Sequence, residues 1–111
     1  MSRLHILSIT FATLCLAACV PSYTKGPDVA ASRYCQRAVE CDWIARDDME
    51  DCVDDTEDVF EGLWPESQCE DGFVQAEWND CMQALDEISC DNVLGALQVA
   101  AGACSASQVC K

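Results

Sequence analysis

Along the chain, apolar positions form first an unbroken run and then four periodic sets. The run spans residues 4 to 18, after Arg3. Val20-Pro21-Ser22-Tyr23-Thr24-Lys25-Gly26-Pro27 follows Cys19; its two prolines and glycine oppose regular structure, so it reads as a tether. Ala31, Tyr34, Cys35, Ala38, Cys41 and Ala45 then recur every three or four residues and predict a first helix, capped by Asp28. Met49, Cys52, Val53, Thr56, Val59, Phe60 and Leu63 predict a second, with Asp47 and Glu50 in capping-box spacing and Gly62 and Pro65 at its end. After a connection from Glu66 to Gly72, Val74, Trp78, Cys81, Leu85 and Ile88 give a 4-3-4-3 stripe for a third helix, capped by Asp71. A last short helix is predicted from Val93, Leu94, Leu97, Ala100, Ala101 and Cys104, weakened by Gly95 and Gly102. No internal repeat and no period-two run is present. The pattern predicts an all-α fold: a small disulfide-linked helical bundle of three to four helices, with neighbours antiparallel because the connections are short.

The N-terminal run is about fifteen residues long, whereas a membrane-spanning helix needs roughly twenty. A basic start, an apolar stretch of this length and small residues at its close are the marks of a secretory signal. Its end, Leu16-Ala17-Ala18-Cys19, resembles the lipobox of bacterial lipoproteins. The resemblance implies that a peptidase cuts before Cys19, whose thiol carries two acyl chains and whose new amine often receives a third, such as palmitate. One chain binds a bilayer marginally and two bind it stably. The alternative is an ordinary signal cut after Ala18, with Cys19 unmodified. Residues 1–18 are thus expected to be a signal peptide, 19–27 the lipidated cysteine and tether, and 28–111 the helical domain. Val20 stands where an aspartate would favour inner-membrane retention in this family, so the resemblance leans toward the outer membrane.

Of ten cysteines, Cys15 leaves with the signal and Cys19 takes lipid. Cys35, Cys41, Cys52, Cys69, Cys81, Cys90, Cys104 and Cys110 remain. An even set in a short exported chain reads as a disulfide framework, with on the order of a hundred connectivities open to four bridges. Zinc knuckles and thioredoxin-like centres need a Cys-x-x-Cys pair, and none occurs. Height along an antiparallel bundle selects one map, at a rise of about 1.5 Å per residue. Cys41 closes the first helix and Cys52 opens the second, so they pair. Cys90 pairs with Cys104 at the same end, Cys35 with Cys81 at mid-height, and Cys69 with Cys110 at the opposite end. The cysteine spacing over residues 34 to 110 and the run Cys81-Met82-Gln83-Ala84-Leu85-Asp86-Glu87-Ile88-Ser89-Cys90 also resemble small cysteine-rich helical lipoproteins of gliding Gram-negative bacteria. That resemblance brings no activity with it.

Charge narrows the function further. All 20 acidic residues lie after position 27, whereas one of the 6 basic residues, Arg3, is in the signal. Phosphate backbones and anionic lipid surfaces attract clusters of Lys and Arg, and so acidic a mature chain has none, which excludes nucleic acid as a partner. The one histidine, His5, is also in the signal, which excludes Ser-His-Asp and Cys-His chemistry and imidazole ligation of zinc. Asp47, Asp48, Glu50, Asp51, Asp54, Asp55, Glu57, Asp58 and Glu61 fall opposite the second helix's apolar stripe. They read as a solvated face, or alternatively as a surface for Ca²⁺, Mg²⁺ or a basic partner. An EF-hand is not among the readings, because Asp48, Glu50 and Cys52 would fill its first ligand positions with Val53 in place of the required glycine. Trp78 belongs to the third helix's core stripe. Trp43 and Trp64, at helix ends, are expected to close the bundle rather than to bind carbohydrate.

The expected function is a lipid-anchored extracytoplasmic module acting through protein or envelope contacts, with no cofactor, metal or catalysis. An acidic divalent-cation-binding surface protein is the alternative. A small hydrolase ranks third, since so small a bridged domain leaves little room for a cleft.

Overall fold

The computed structural model describes residues 20–92 and 94–111. The apolar run, Cys19 and Val93 lie outside the described residues. The elements in chain order are α1 (Gly26–Glu40), a 3₁₀ turn (Arg46–Asp48), α2 (Met49–Leu63), α3 (Glu66–Cys69), α4 (Gln75–Asp86), α5 (Gly95–Ala101) and α6 (Ala106–Val109). Among the described residues the only strand-like pairing is one antiparallel bridge between Phe73 and Cys110. The protein is the all-α, disulfide-linked bundle that the stripes predict, with four helices of seven residues or more and two single-turn ones among the described residues. Helix α1 packs along α2 and on α4, while α5 and α6 lean on α4.

The centre of the core is Trp64, which is fully buried. Its ring lies 4.9 Å from Phe60, 5.1 Å from Phe73 and 5.6 Å from Trp78, centroid to centroid. Its indole N–H donates to the Cys104 carbonyl at 2.7 Å, so the one polar atom of the side chain is satisfied inside an apolar cluster. Trp78, Cys81, Leu85 and Ile88 are buried as their stripe predicts.

Helix ends depart from expectation. Pro27 sits in the first turn of α1, where its missing N–H costs nothing, and the helix starts at Gly26. Asp28 therefore lies inside the first turn rather than capping it. Residue Gly26 is buried against Phe73, and a Cβ there would come within 2.4 Å of the ring. At its other end α1 stops at Glu40 instead of continuing to Ala45. Trp43 N–H donates to Ala38 O at 2.9 Å and Asp42 N–H to Val39 O at 3.1 Å, a Schellman ending with Asp42 left-handed at φ 60°. The Asp47 and Glu50 capping box does not form, because Asp47 is taken up in the 3₁₀ turn that precedes α2. Gly62 lies within the last turn of α2, which ends at Leu63. Asp71 does not cap α4 either. Gly72, at φ 98°, and the bridged Phe73 intervene, and Val74 is the residue before the helix.

These shifts re-pair the cysteines. The bridges are Cys35–Cys52, Cys41–Cys90, Cys81–Cys104 and Cys69–Cys110. Only Cys69–Cys110 coincides with the map argued from height; Cys41–Cys52, Cys90–Cys104 and Cys35–Cys81 are corrected. The loop from Cys41 to Asp48 separates α1 from α2, so Cys52, one turn into α2, comes level with Cys35 and not Cys41. The Thr56 hydroxyl lies 3.6 Å from the Cys35 sulfur and 3.8 Å from that of Cys52. Cys41, released at the loop end, meets Cys90 after α4. Helix α5 descends roughly 10 Å by its seven residues, carrying Cys104 away from Cys90 to mid-height beside Cys81.

Two further expectations are corrected. Leu94 and Leu97 are 62% and 67% exposed, because α5 turns Gly95 inward, where a Cβ would stand 3.1 Å from the Ile88 side chain. Residues 20–27 do not hang free: Val20 and Tyr23 pack on the core, and the Tyr23 hydroxyl donates to Trp64 O at 3.2 Å.

Candidate functional site

The feature with the most chemistry in the sequence is the carboxylate face of α2, built from helix periodicity alone. Asp51, Asp54, Asp58 and Glu61 follow one another at steps of three and four and so stack in one row on the outside of the helix, with Asp47 in the 3₁₀ turn before it. With Asp48, Glu50 and Asp55 they are all exposed; Glu57 is half-buried. Glu50 and Asp51 occupy the first turn, where the helix dipole favours them, but no basic residue lies in the last turn. The two ion pairs among the described residues, Arg33–Asp86 at 2.6 Å and Arg37–Glu40 at 3.3 Å, lie elsewhere.

Crowding has its clearest effect at Glu57. Desolvation, and then the carboxylates of Asp28, Glu61, Asp54 and Asp58, raise its carboxyl above the usual glutamate range. A raised acid binds its proton more readily in the folded than in the unfolded state. Stability from this group therefore falls as pH rises from about 4.3 through the raised folded value. Glu57→Gln is expected to raise the melting temperature slightly at neutral pH and to flatten its rise on acidification through that window. Added sodium chloride should stabilise the parent protein more than the variant. Thermal melts at several pH values and salt concentrations decide it; a variant less stable than the parent at neutral pH would refute the crowding argument.

The carboxylates fan outward from a single helix and do not converge. Among the described residues no three His, Cys, Asp or Glu groups are placed to hold a metal ion. The face can attract cations diffusely or meet a basic surface, but it offers no coordination shell.

The tryptophans divide as follows. Trp64 and Trp78 are core residues, and Trp43 is half-buried just after the Schellman turn. A depression of about 360 Å³ lies where α4 passes to α5, floored by Ile88 and Val99 and rimmed by Glu87, Ser89, Asn92 and Gln98. A narrower one of about 220 Å³ runs between α2 and α5, lined by Tyr34, Thr56, Val59, Ala96, Leu97 and Ala100. Sequence reasoning missed this groove. It placed Val59 and Leu97 in buried stripes, whereas they are 63% and 67% exposed along its edge.

The position of Cys19, the expected lipidation site, is outside the described residues, one residue before the docked Val20. No described helix is long and apolar enough to cross a membrane. No curated protein and no solved structure matches the chain. A family model does match, over residues 35–111, a stretch that begins at the first bridged cysteine and contains all eight. The chain belongs to that family, the family of unknown function DUF6184.

Proposed function

We propose that the protein is a lipid-anchored module held outside the cytoplasm, leaning toward the outer membrane, which acts through contacts with protein or envelope rather than through catalysis. The observation that carries this reading is the lipobox-like Leu16-Ala17-Ala18-Cys19 followed by a domain whose eight cysteines are all paired. Disulfides form and persist in oxidising compartments, so the pairing supports export, and the four-residue resemblance supports an acyl anchor. Contacts are favoured over chemistry by the placement of charge. Among the described residues no charged or polar residue is buried. The α2 carboxylates other than Glu57 thus face water rather than a shared cleft that would drive two of their pKa values apart for acid and base roles, and one carboxylate oxygen elsewhere, Glu77 Oε2, is buried without a hydrogen-bond partner.

Cation binding stays the second reading because like charges crowd Glu57. It requires a saturable, calcium-specific rise in melting temperature beyond that of sodium chloride at matched ionic strength. The anchored reading is tested by Cys19→Ser, which is expected to release the chain from the membrane fraction or leave it unprocessed. Intact mass of the parent protein should show an N-terminus at Cys19 with added acyl mass; a mature Cys19 terminus with no lipid counts against the proposal.

A further inference from the structure

We infer that the domain is seated directly on the bilayer that holds its anchor, with the Tyr23, Lys25 and Lys111 end against the lipid headgroups and the Cys41–Cys90 end turned away. The inference rests on the lipid-anchored reading above and adds to it an orientation and a docking surface. What carries it is the absence of slack between the anchor point and the core. Val20 packs on the core cluster. Ser22 O accepts N–H groups from Lys25 at 3.1 Å and Gly26 at 2.9 Å, closing a turn that leads straight into α1. The Tyr23 hydroxyl holds Trp64 O, its ring lies 6.5 Å from Phe73, and Gly26 is pressed against Phe73 too closely to admit a side chain. Cys19 is joined to Val20 by one peptide bond, a Cα separation of about 3.8 Å. Acyl chains on Cys19 would therefore enter the bilayer within a few ångströms of a fixed point on the domain.

The chemistry at that end suits headgroups. The only two lysines of the chain, Lys25 and Lys111, are both exposed and both flank Phe73: Lys25 precedes Gly26, and Lys111 N–H donates to Gly72 O at 3.0 Å. Their ammonium groups can reach the phosphates of zwitterionic headgroups and offset two of the four exposed carboxylates Glu61, Glu66, Glu70 and Asp71 in the adjoining segments. The antiparallel course of α1 and α2 sends the rest of the acidic face away from the bilayer. Each is 15 residues long, so Trp43, Arg46, Asp47 and Asp48 stand roughly 20 Å from the anchored end. A partner approaching from solution would meet that far end.

The test uses the mature lipidated protein, reconstituted into phosphatidylcholine vesicles and treated with a water-soluble amine-reactive label. Arg46→Lys supplies a reporter amine at the far end. A second form carries a Gly-Ser spacer of about ten residues between Cys19 and Val20, with a root-mean-square span of roughly 17 Å. Each site's labelling rate with the native junction is divided by its rate with the spacer, read by peptide mass. The expected result is severalfold protection of Lys25 and Lys111 with none at the R46K reporter. Equal ratios at all three sites, or protection of the reporter alone, overturn the orientation while leaving the anchor intact. A protein that lacks acyl mass and fails to float with the vesicles overturns both, so the two failures are separately visible.

Discussion

Full reduction of the four bridges is expected to unfold the domain at neutral pH without denaturant. In the chain-entropy account a bridge stabilises by shrinking the unfolded ensemble, more so as the closed loop lengthens. Cys41–Cys90 and Cys69–Cys110 have sequence separations of 49 and 41, for which that account gives about 4 kcal/mol each. Cys81–Cys104 and Cys35–Cys52, at 23 and 17, give about 3 kcal/mol each. The loops overlap, so the contributions do not simply add. Even half their sum rivals the total stability of about 5–15 kcal/mol typical of a folded domain. A core of this size has little to set against that loss. Among single bridges, paired replacement of Cys81 and Cys104 by alanine should cost about 2–5 kcal/mol. Both cysteines are fully buried, and Cys104 also supplies the carbonyl that Trp64 bonds. Far-ultraviolet circular dichroism after equilibration in excess thiol checks the first expectation. A retained helical signal with a cooperative melt would show that packing suffices and that the bridges are secondary.

The helices were legible where a long stripe and a strong stop coincide. Met49 to Leu63 before Pro65 states its helix in sequence, though Val59 of its stripe is exposed, and Trp78, Cys81 and Leu85 state both a helix and its buried face, because burial of a 3.6-residue stripe is cooperative over several turns. The acidic face was legible for the same reason, in mirror image. Asp42 was not. A left-handed helix ending is ordinarily signalled by glycine or asparagine, and an aspartate there looks like any other polar residue. Missing that ending hid how far the loop over residues 42–48 carries the chain before α2, so Cys41 and Cys52 read as level across a short link and the other two wrong pairings followed from that one. Helix α5 failed differently. Seven residues are too few for periodicity to choose a face, and the side that fits against Ile88 is the one carrying Gly95, not the one carrying Leu97. The docked N-terminal segment depends on Tyr23 reaching Trp64 and Gly26 reaching Phe73, contacts across more than forty residues that no local pattern encodes.

Trp64→Ala is expected to cost about 3–5 kcal/mol, the usual range for removing a large aromatic from a core. The position is severe because it has no solvent route for relaxation: the side chain is fully buried between Phe60, Phe73 and Trp78. Trp64→Phe separates packing from hydrogen bonding. It keeps an aromatic ring but takes from the Cys104 carbonyl its indole donor, and a buried acceptor left unmet costs about 1–3 kcal/mol. Tyr23→Phe removes only the hydroxyl that meets Trp64 O, a part-buried bond worth about 0.5–1.5 kcal/mol. Denaturant midpoints under non-reducing conditions should therefore fall in the order parent, Tyr23→Phe, Trp64→Phe, Trp64→Ala. A Trp64→Phe variant as stable as the parent would dispose of the hydrogen-bond argument, and a mild Trp64→Ala would dispose of the claim that this residue centres the core. The same series reads out the N-terminal segment, because Tyr23 is tied to the backbone of Trp64. Loosening the core there should free residues 20–26 before the bridged helices open, since local opening follows the weakest contacts. Trypsin cleavage after Lys25 should then accelerate in both Tyr23→Phe and Trp64→Ala, whereas cleavage after Arg46, in the loop at the opposite end, should hold its rate in Tyr23→Phe. Acceleration at Arg46 as well in that variant would mean that the tyrosine supports the whole bundle rather than the N-terminal segment alone.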